Sequence, residues 1–415
     1  MTDIDSNSAA SSDDEMSQHN LSDQENEDDN RRGLLHDNEG YLEDEELGDD
    51  EVDSDDDVGE VEAGPSERVQ EEQFDDDHDV PPTISVDVDL TAVKFHPAND
   101  LVATGTIDGE LAVWKYSLEK NEEVRRSKTH PKACRGLEFT QDGKTLFSIS
   151  KDKSWKMIDV ETMRIVVDMQ KAHKSALFAM ALIDEWLCAT GEEDGAVCVW
   201  DHRTPKQQAV QTYKQCEDYI ADLLIEPQHK KVLLAASAEG TLTALDVRRK
   251  KMIMQSEVFE EEFLSLALIK GKKVVCGGSE GSFEIFNWDE FGYIVNAMKS
   301  VSKASVDCMK ALNESIVIYG CGDGNVRAAS FFPNKPLGIL GKHCDFPIVS
   351  LDLDRERKIA ASVSVDQKVR FWSTEGIESK LDLKKGRWQD MKMVMNTKKN
   401  NFFSGLVNNG DDNKE

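Results

Sequence analysis

A short acidic turn returns seven times along the chain at an almost constant interval. Its copies are Asp108-Gly109, Asp152-Lys153, Asp194-Gly195, Glu239-Gly240, Glu280-Gly281, Asp323-Gly324 and Asp366-Gln367. Successive acidic residues are 44, 42, 45, 41, 43 and 43 positions apart. A period of this length means an array of equivalent structural units, because one unit cannot bury its own apolar face and needs a neighbour on each side. The first copy, TAVKFHPANDLVATGTIDGELAVWK from Thr91 to Lys115, shows the plan. An apolar strand, a polar turn and a second apolar strand ending in small residues lead to the acidic turn, which a third, alternating strand follows.

The residue six places after each acid is Trp114, Ile158, Trp200, Leu245, Phe286, Ala329 or Trp372, so most third strands close on a bulky apolar anchor. Between turn and anchor the side chains alternate, as in Gly195-Ala196-Val197-Cys198-Val199-Trp200, which directs one face inward at period two. The period, the Asp-Gly turns and the Trp200-Asp201 pair resemble the WD40 repeat family of β-propellers. The resemblance covers residues 84–383 and implies an all-β fold, a seven-bladed WD40 β-propeller. In such a ring, radial stacking buries the sheet faces, and closure protects the first and last blades. The family commonly borrows a strand from the N-terminal side to close the last blade. Ile84-Ser85-Val86-Asp87-Val88 is expected to pair beside the last three-stranded unit, Ile348 to Ser373, with Lys380 to Leu383 as the rival. Two departures predict weaker internal hydrogen bonding: Asp323 to Ser330 carries no aromatic anchor, and Glu239 and Glu280 stand where Asp is usual.

Charge divides the chain differently. Of 81 acidic and 49 basic side chains, residues 1–80 hold 32 and 3, so that segment carries −29 of the net −32 and the other 335 residues carry −3. Residues 1–80 are too poor in apolar side chains to offset the backbone entropy of ordering, about 1–2 kcal/mol per residue, and are expected to be a disordered acidic tail. Ser12, Ser22 and Ser54 each have a carboxylate three positions on, which resembles an acid-directed kinase site. The tail suits basic partner proteins, and equally a purely solubilising role. Residues 384–415 reverse the sign, with Lys384, Lys385, Arg387, Lys392, Lys398 and Lys399 before Phe402-Phe403-Ser404-Gly405-Leu406. That Phe-Phe-x-x-Leu segment with its basic flank reads as an import signal, an RNA-contacting arm or a docking motif. Direct nucleic acid binding is disfavoured for the nearly neutral body and left open for this tail. No apolar run reaches the roughly 20 residues that cross a bilayer, and the N-terminus is acidic where a signal peptide is basic, so neither membrane insertion nor secretion is expected. The eight cysteines have no paired C-x-x-C spacing and read as small buried residues of a reducing compartment.

His130, His173 and His343 precede Asp152, Asp194 and Asp366 by 22, 21 and 23 residues, with hydroxyls such as Ser150, Thr190 and Ser364 between them. The same constellation in three units argues against one active site. In WD40 blades such a His, hydroxyl and turn Asp bond to one another and to a third-strand Trp, here Trp200 or Trp372, which implies structural networks. No P-loop, H-E-x-x-H, G-x-S-x-G or dinucleotide loop is present, so neither an enzyme nor a cofactor or metal site is expected.

Trp200-Asp201-His202-Arg203 resembles the W-D-x-R box of cullin-4 ubiquitin ligase substrate receptors, and Leu245-Asp246-Val247-Arg248 repeats its Asp-x-Arg. The resemblance implies docking of the ligase adaptor through Arg203 and Arg248. The plainer alternative is a solvated arginine on a propeller rim. Finally, the acidic extension, Phe95-His96-Pro97 with Leu101 to Gly105, the segment Cys321 to Arg327 and the basic Phe-Phe-x-x-Leu tail are similar to the WD repeat-containing protein 55 family. That resemblance implies a nuclear, mainly nucleolar, non-catalytic scaffold, with the cytoplasm as a second location. Its expected role is ribosomal RNA processing and ribosome biogenesis, with ribosome-assembly factors as partners.

Overall fold

The seven copies become seven blades. The computed structural model describes residues 80–204, 208–269 and 272–379, and every element in them is a β-strand. A leading strand, β1 (Ile84–Ser85), comes first. Blade 1 comprises β2 (Leu90–Phe95), β3 (Leu101–Thr106), β4 (Glu110–Lys115) and β5 (Glu122–Lys128). Blade 2 holds β6 (Cys134–Phe139), β7 (Thr145–Ser150), β8 (Trp155–Asp159) and β9 (Ile165–Met169), and blade 3 holds β10 (Leu177–Leu182), β11 (Leu187–Glu192), β12 (Ala196–Asp201) and β13 (Gln211–Lys214). In blade 4 are β14 (Ile220–Ile225), β15 (Val232–Ser237), β16 (Thr241–Asp246) and β17 (Lys251–Gln255). Blade 5 contains β18 (Phe263–Ile269), β19 (Lys273–Gly278), β20 (Ser282–Asn287) and β21 (Glu290–Lys299). Blade 6 contains β22 (Val306–Ala311), β23 (Ile316–Cys321), β24 (Asn325–Ser330) and β25 (Lys335–Lys342). The last three strands, β26 (Ile348–Leu353), β27 (Ile359–Ser364) and β28 (Lys368–Ser373), form blade 7 with β1.

Every pairing is antiparallel, and the first strand of each unit lies innermost against its counterparts on both sides, so the seven sheets close into a ring. The closing strand is the N-terminal candidate: Ile84 faces Val369 and Ser85 faces Lys368 across β1 and β28. Gln367 strengthens this junction by donating its side-chain amide to Asp89 at 3.0 Å. Packing begins at Val80, which rests on the cluster around Ile84, and runs on to the fully buried Ile377. The rival strand, residues 380–383, lies outside the described residues, as do both tails. Among the described residues, no helix is long and apolar enough to cross a membrane and no His, Cys, Asp and Glu group is placed to hold a metal ion.

The small residues that end each second strand have a structural reason. A Cβ on Gly191, Gly277 or Gly320 would stand 2.5–2.6 Å from a side-chain carbon of Ile220, Val306 or Ile348, the first residue of the next blade's inner strand. Glycine there lets a bulky side chain seat flat between two sheets. Directly after that residue, all seven inner strands slip register by one. A bulge of this kind takes one residue out of the ladder and re-aims its side chain.

Candidate functional site

The seven bulged residues are Thr91, Arg135, Phe178, Ala221, Leu264, Asp307 and Val349. All but Thr91 line the central cavity, which holds about 190 Å³. The inner strands begin on this side of the ring, which is called the upper face below. Across its mouth runs a continuous chain of side chains from the inner strands of blades 2 and 3 and the loops leading into blades 4 and 5. The Arg135 guanidinium sits 3.7 Å above the Phe178 ring, Phe178 packs on Tyr219 at 4.9 Å between centroids, and the Tyr219 hydroxyl donates to Glu262 at 3.3 Å. Arg135, Phe178 and Tyr219 are half-buried and Glu262 is exposed. A cation over an aromatic face contributes about 0.5–1 kcal/mol at such exposed sites, so the chain is held together without being locked.

This chain runs from a lysine-rich part of the upper face to an acidic one. On blades 1 to 3 the upper face exposes Lys128, Lys132, Lys151, Lys153, Lys171 and Lys174 against Asp108, Glu193 and Asp194, an excess of lysine. On blades 4 and 5 they carry Glu217, Asp218, Glu239, Glu257, Glu260 and Glu280, of which only Glu239 is half-buried. Because the whole body is nearly neutral, this separation is local patterning and is invisible in the composition. Such uneven charge steers a partner and fixes its register more than it adds raw affinity.

Deeper in the channel the charges are paired. Lys94 reaches Glu138 at 2.7 Å and Asp352 at 3.4 Å, and despite its burial these carboxylates raise its pKa. Asp352 also accepts the Phe95 amide at 2.9 Å, and Asp222 accepts that of Leu266 at 2.9 Å, so each ties its blade to the next. Burial pushes the Asp307 carboxyl up to about 6, against a hydrogen bond from Ser305. The polar interior therefore works largely as inter-blade cement.

The histidine constellations assemble, with one carboxylate and two of the hydroxyls other than those expected. His130 contacts Asp152 through Nδ1 at 3.0 Å and Ser148 through Nε2 at 2.8 Å. His343 contacts Asp366 at 2.9 Å and Ser362 at 2.8 Å, and Trp372 donates to the same Ser362 at 2.7 Å. In blade 3, His173 contacts Thr190 at 2.6 Å, and Trp200 donates to Thr190 at 2.8 Å. Its carboxylate, however, is Glu192 at 3.1 Å and not Asp194, which is exposed in the turn. The longer Glu side chain reaches the imidazole from the end of β11. Against their burial, Cys198 and Glu192 raise His173 to about 9, and His173 holds Glu192 down at about 2. The hydroxyls that bond histidine, Ser148, Thr190 and Ser362, precede the turn by four residues; Ser150 and Ser364 instead bond the backbone oxygens of Lys132 and Phe346.

The expectation of weak bonding in blades 4 and 6 is corrected. In blade 6, Arg327 is buried and donates both terminal nitrogens to Asp323 at 2.8 Å each. In blade 4, Glu239 accepts from the Thr241 hydroxyl, the Gln255 amide and the Glu217 backbone at 2.7, 3.1 and 2.7 Å. These carboxylates recruit other donors where the histidine is missing. The triad-like geometry of the three histidines has no room for a substrate, since each side chain is at most 1% exposed and Ser148, Thr190 and Ser362 are fully buried.

The family model described as WDR55 matches residues 81–377. The chain is 37% identical over 297 residues to human WD repeat-containing protein 55, covering 71% of this chain and 76% of that one. To the cattle protein of the same name it is 34% identical over 345 residues, 81% and 89% of the two chains. To the Drosophila mojavensis homologue it is 35% identical over 333 residues, 80% of this chain and 64% of that one. The chain belongs to the WD repeat-containing protein 55 family. WD40 propellers generally mediate protein–protein interactions and are generally non-catalytic, in keeping with the sealed histidine networks and the open, unevenly charged mouth.

In this family member the two Asp-x-Arg segments lie on the lower face and differ from each other. Arg203 pairs with Asp201 through two bonds of 2.9 and 2.7 Å, holding that carboxyl at about 2, and its guanidinium lies 4.9 Å from the Trp186 ring. Trp186 is 45% exposed, so Arg203 and Trp186 form a projecting pair. In blade 4, Asp246 is buried and accepts the backbone amides of Arg248 and Arg249, while Arg248 turns away to the carbonyl of His229 at 3.0 Å. Six cysteines are buried, Cys308 is half-buried, Cys344 is exposed, and all eight are free thiols. Phe402, Phe403, Leu406, Ser12, Ser22 and Ser54 lie outside the described residues. Of the mouth residues, Arg135 and Phe178 are the second residues of their inner strands, a column whose members share no residue type, and Tyr219 and Glu262 stand in the loops just before theirs.

Proposed function

We propose that the chain is a non-catalytic platform of the nucleus and nucleolus, with a cytoplasmic share. Its role is to support ribosomal RNA processing and ribosome biogenesis by gathering proteins on the upper face. Membership of the WD repeat-containing protein 55 family supports this reading. The observation that carries it is the chain Arg135, Phe178, Tyr219 and Glu262, which runs from the lysine-rich loops of blades 2 and 3 to the acidic loops of blades 4 and 5. Aromatic and arginine side chains at the centre of a surface are the usual energetic anchors of protein recognition. Basic ribosome-assembly proteins fit the acidic sector of blades 4 and 5.

In cells depleted of the protein, precursor ribosomal RNAs are expected to accumulate on gel analysis, and the wild-type chain to restore processing. The double variant F178A/Y219A is expected to fold but fail to restore it, because each lost anchor weakens a partner by about tenfold. Normal processing after depletion overturns the role. Full rescue by the double variant overturns the site.

A second reading, docking to the adaptor of a cullin-4 ligase, is favoured by the projecting Arg203 and Trp186 pair. Arg203→Glu and Trp186→Ala are each expected to abolish recovery of the adaptor in a pull-down, and unchanged recovery sinks this reading.

A further inference from the structure

Each blade ends in an outer strand whose far edge has no strand partner among the described residues, and most of these edges are blunted. β5 reads Glu-Glu-Val-Arg-Arg-Ser-Lys, and β25 carries Pro336, Gly338 and Gly341. Charge and proline on an edge are common devices against unwanted pairing. The outer strands of blades 4 and 5 carry charge only at their ends, at Lys251, Glu290 and Lys299, and have no proline. In β17, Met252, Ile253 and Met254 are 38%, 45% and 38% exposed; in β21, Tyr293, Ile294 and Val295 are 73%, 40% and 45% exposed. The two strips meet, since a Cβ on Gly292 would stand 3.3 Å from the Met254 sulfur. β9 also exposes Ile165 and Val166, but its neighbour β13 is polar apart from the buried Tyr213, so no such strip forms there.

A basic block adjoins the apolar strip at the lower end of β17. Arg248, Arg249 and Lys250 form the turn into the strand, Lys251 opens it, and the Arg248 bond to His229 draws Lys230 and Lys231 alongside. The carboxylate within this block, Asp246, is buried and already occupied by two backbone amides. Lys231 and Arg249 approach it only to 4.0 and 3.9 Å. This single carboxylate therefore offsets only part of the charge of the block.

We infer that the outer edge of blade 4, continued by blade 5, docks an extended acidic segment of a partner protein in which apolar side chains alternate with carboxylates. Three observations fit that occupant together. The open edge of β17 offers backbone donors and acceptors to an added strand, the mode by which peptides extend a sheet. Apolar side chains of the added strand cover Met252, Met254 and Ile294. Its carboxylates meet the basic turn, and the charge match selects an acidic segment over a neutral one. This surface lies on the rim, apart from the upper mouth, so the platform can hold a second partner while the mouth is occupied.

The probe is a blocked twelve-residue synthetic peptide alternating Val or Leu with Glu, titrated against the full chain, with a scrambled peptide and a single-stranded RNA of equal charge as controls. The alternating peptide is expected to bind, to slow hydrogen exchange in β17, and to weaken between 0.1 and 1 M salt as the screening length falls from about 10 to about 3 Å. The variant R248E/R249E/K250E is expected to lose about tenfold in affinity together with the salt dependence. M252T/I253T/M254T, which places β-branched residues of high strand propensity on an exposed strand, is expected to lose about tenfold with the salt dependence intact. Retained melting temperatures establish that both variants are folded. No binding, equal binding of the scrambled peptide, or tighter binding of the RNA with no effect of the threonine variant each overturns the inference.

Discussion

Gly320→Val is expected to destabilise the propeller by about 3 kcal/mol, at the upper end of what overpacking a close-packed interior costs. Gly320 lies in β23 opposite Cys308, and an added Cβ would stand 2.5 Å from Ile348 Cγ2, 2.6 Å from Ile348 Cβ and 2.9 Å from the Cys308 sulfur. Ile348 is fully buried and is the last residue of its strand before the bulge, so it cannot withdraw without moving the backbone of blade 7. The valine must therefore pry blades 6 and 7 apart. The urea midpoint is expected to fall with little change in slope, and the added substitution Ile348→Ala to restore part of the loss. Gly292→Ala is the control: its closest neighbour is the flexible Met254 thioether at 3.3 Å, and a shift within about 0.5 kcal/mol is expected. An unchanged midpoint for Gly320→Val would refute the account of small residues as blade spacers.

That spacer role marks how far the fold was legible. The acidic turns, the alternation between turn and anchor, and small residues ending the second strand are local signals repeated seven times, and each copy corroborates the others. Together they give the blades and their order, because a repeat constrains neighbours as well as single units; the closing strand stayed open between two candidates until β1 was seen paired with β28. What the repeat could not convey lies where a blade departs from it. Glu192 replaces Asp194 as the partner of His173 because reach, not position in the turn, decides which carboxylate arrives. The mouth was hidden for a related reason: a bulge falls at the same place in every blade, and only the ring brings Arg135, Phe178 and Tyr219 into one chain. The open edge of β17 is a property of the assembled sheets, whose outer strands have no strand partner among the described residues.

Arg327 is the clearest departure, and Arg327→Met is expected to cost about 3–5 kcal/mol, the range for removing one partner of a buried ion pair. Blade 6 has no aromatic anchor at Ala329, and in place of a histidine the guanidinium, itself 3% exposed, grips both oxygens of Asp323 at 2.8 Å. A methionine fills much of the volume but supplies no donor, so Asp323 keeps its charge and the Asn325 amide at 3.1 Å but loses its countercharge. The pH dependence separates this cause from simple loss of packing. Against burial, Arg327 holds the Asp323 carboxyl well below its ordinary 3.8, at about 2. A carboxyl depressed by folding contributes stability that is fully present above its unfolded pKa and is lost as the pH falls through the folded one. The wild-type chain should therefore shed this contribution between about pH 3.8 and 2. In Arg327→Met the carboxyl protonates at higher pH, which relieves the unpaired charge, so the deficit against wild type should be largest near neutrality and shrink on acidification. The double variant R327M/D323N, which carries neither charge, should recover most of the loss at pH 7, because the penalty belongs to the orphaned carboxylate. Urea titrations of the three chains at pH 7 and pH 3.5 measure all of this, and a deficit that is equal at both pH values and unrelieved in the double variant would assign Arg327 a packing role instead.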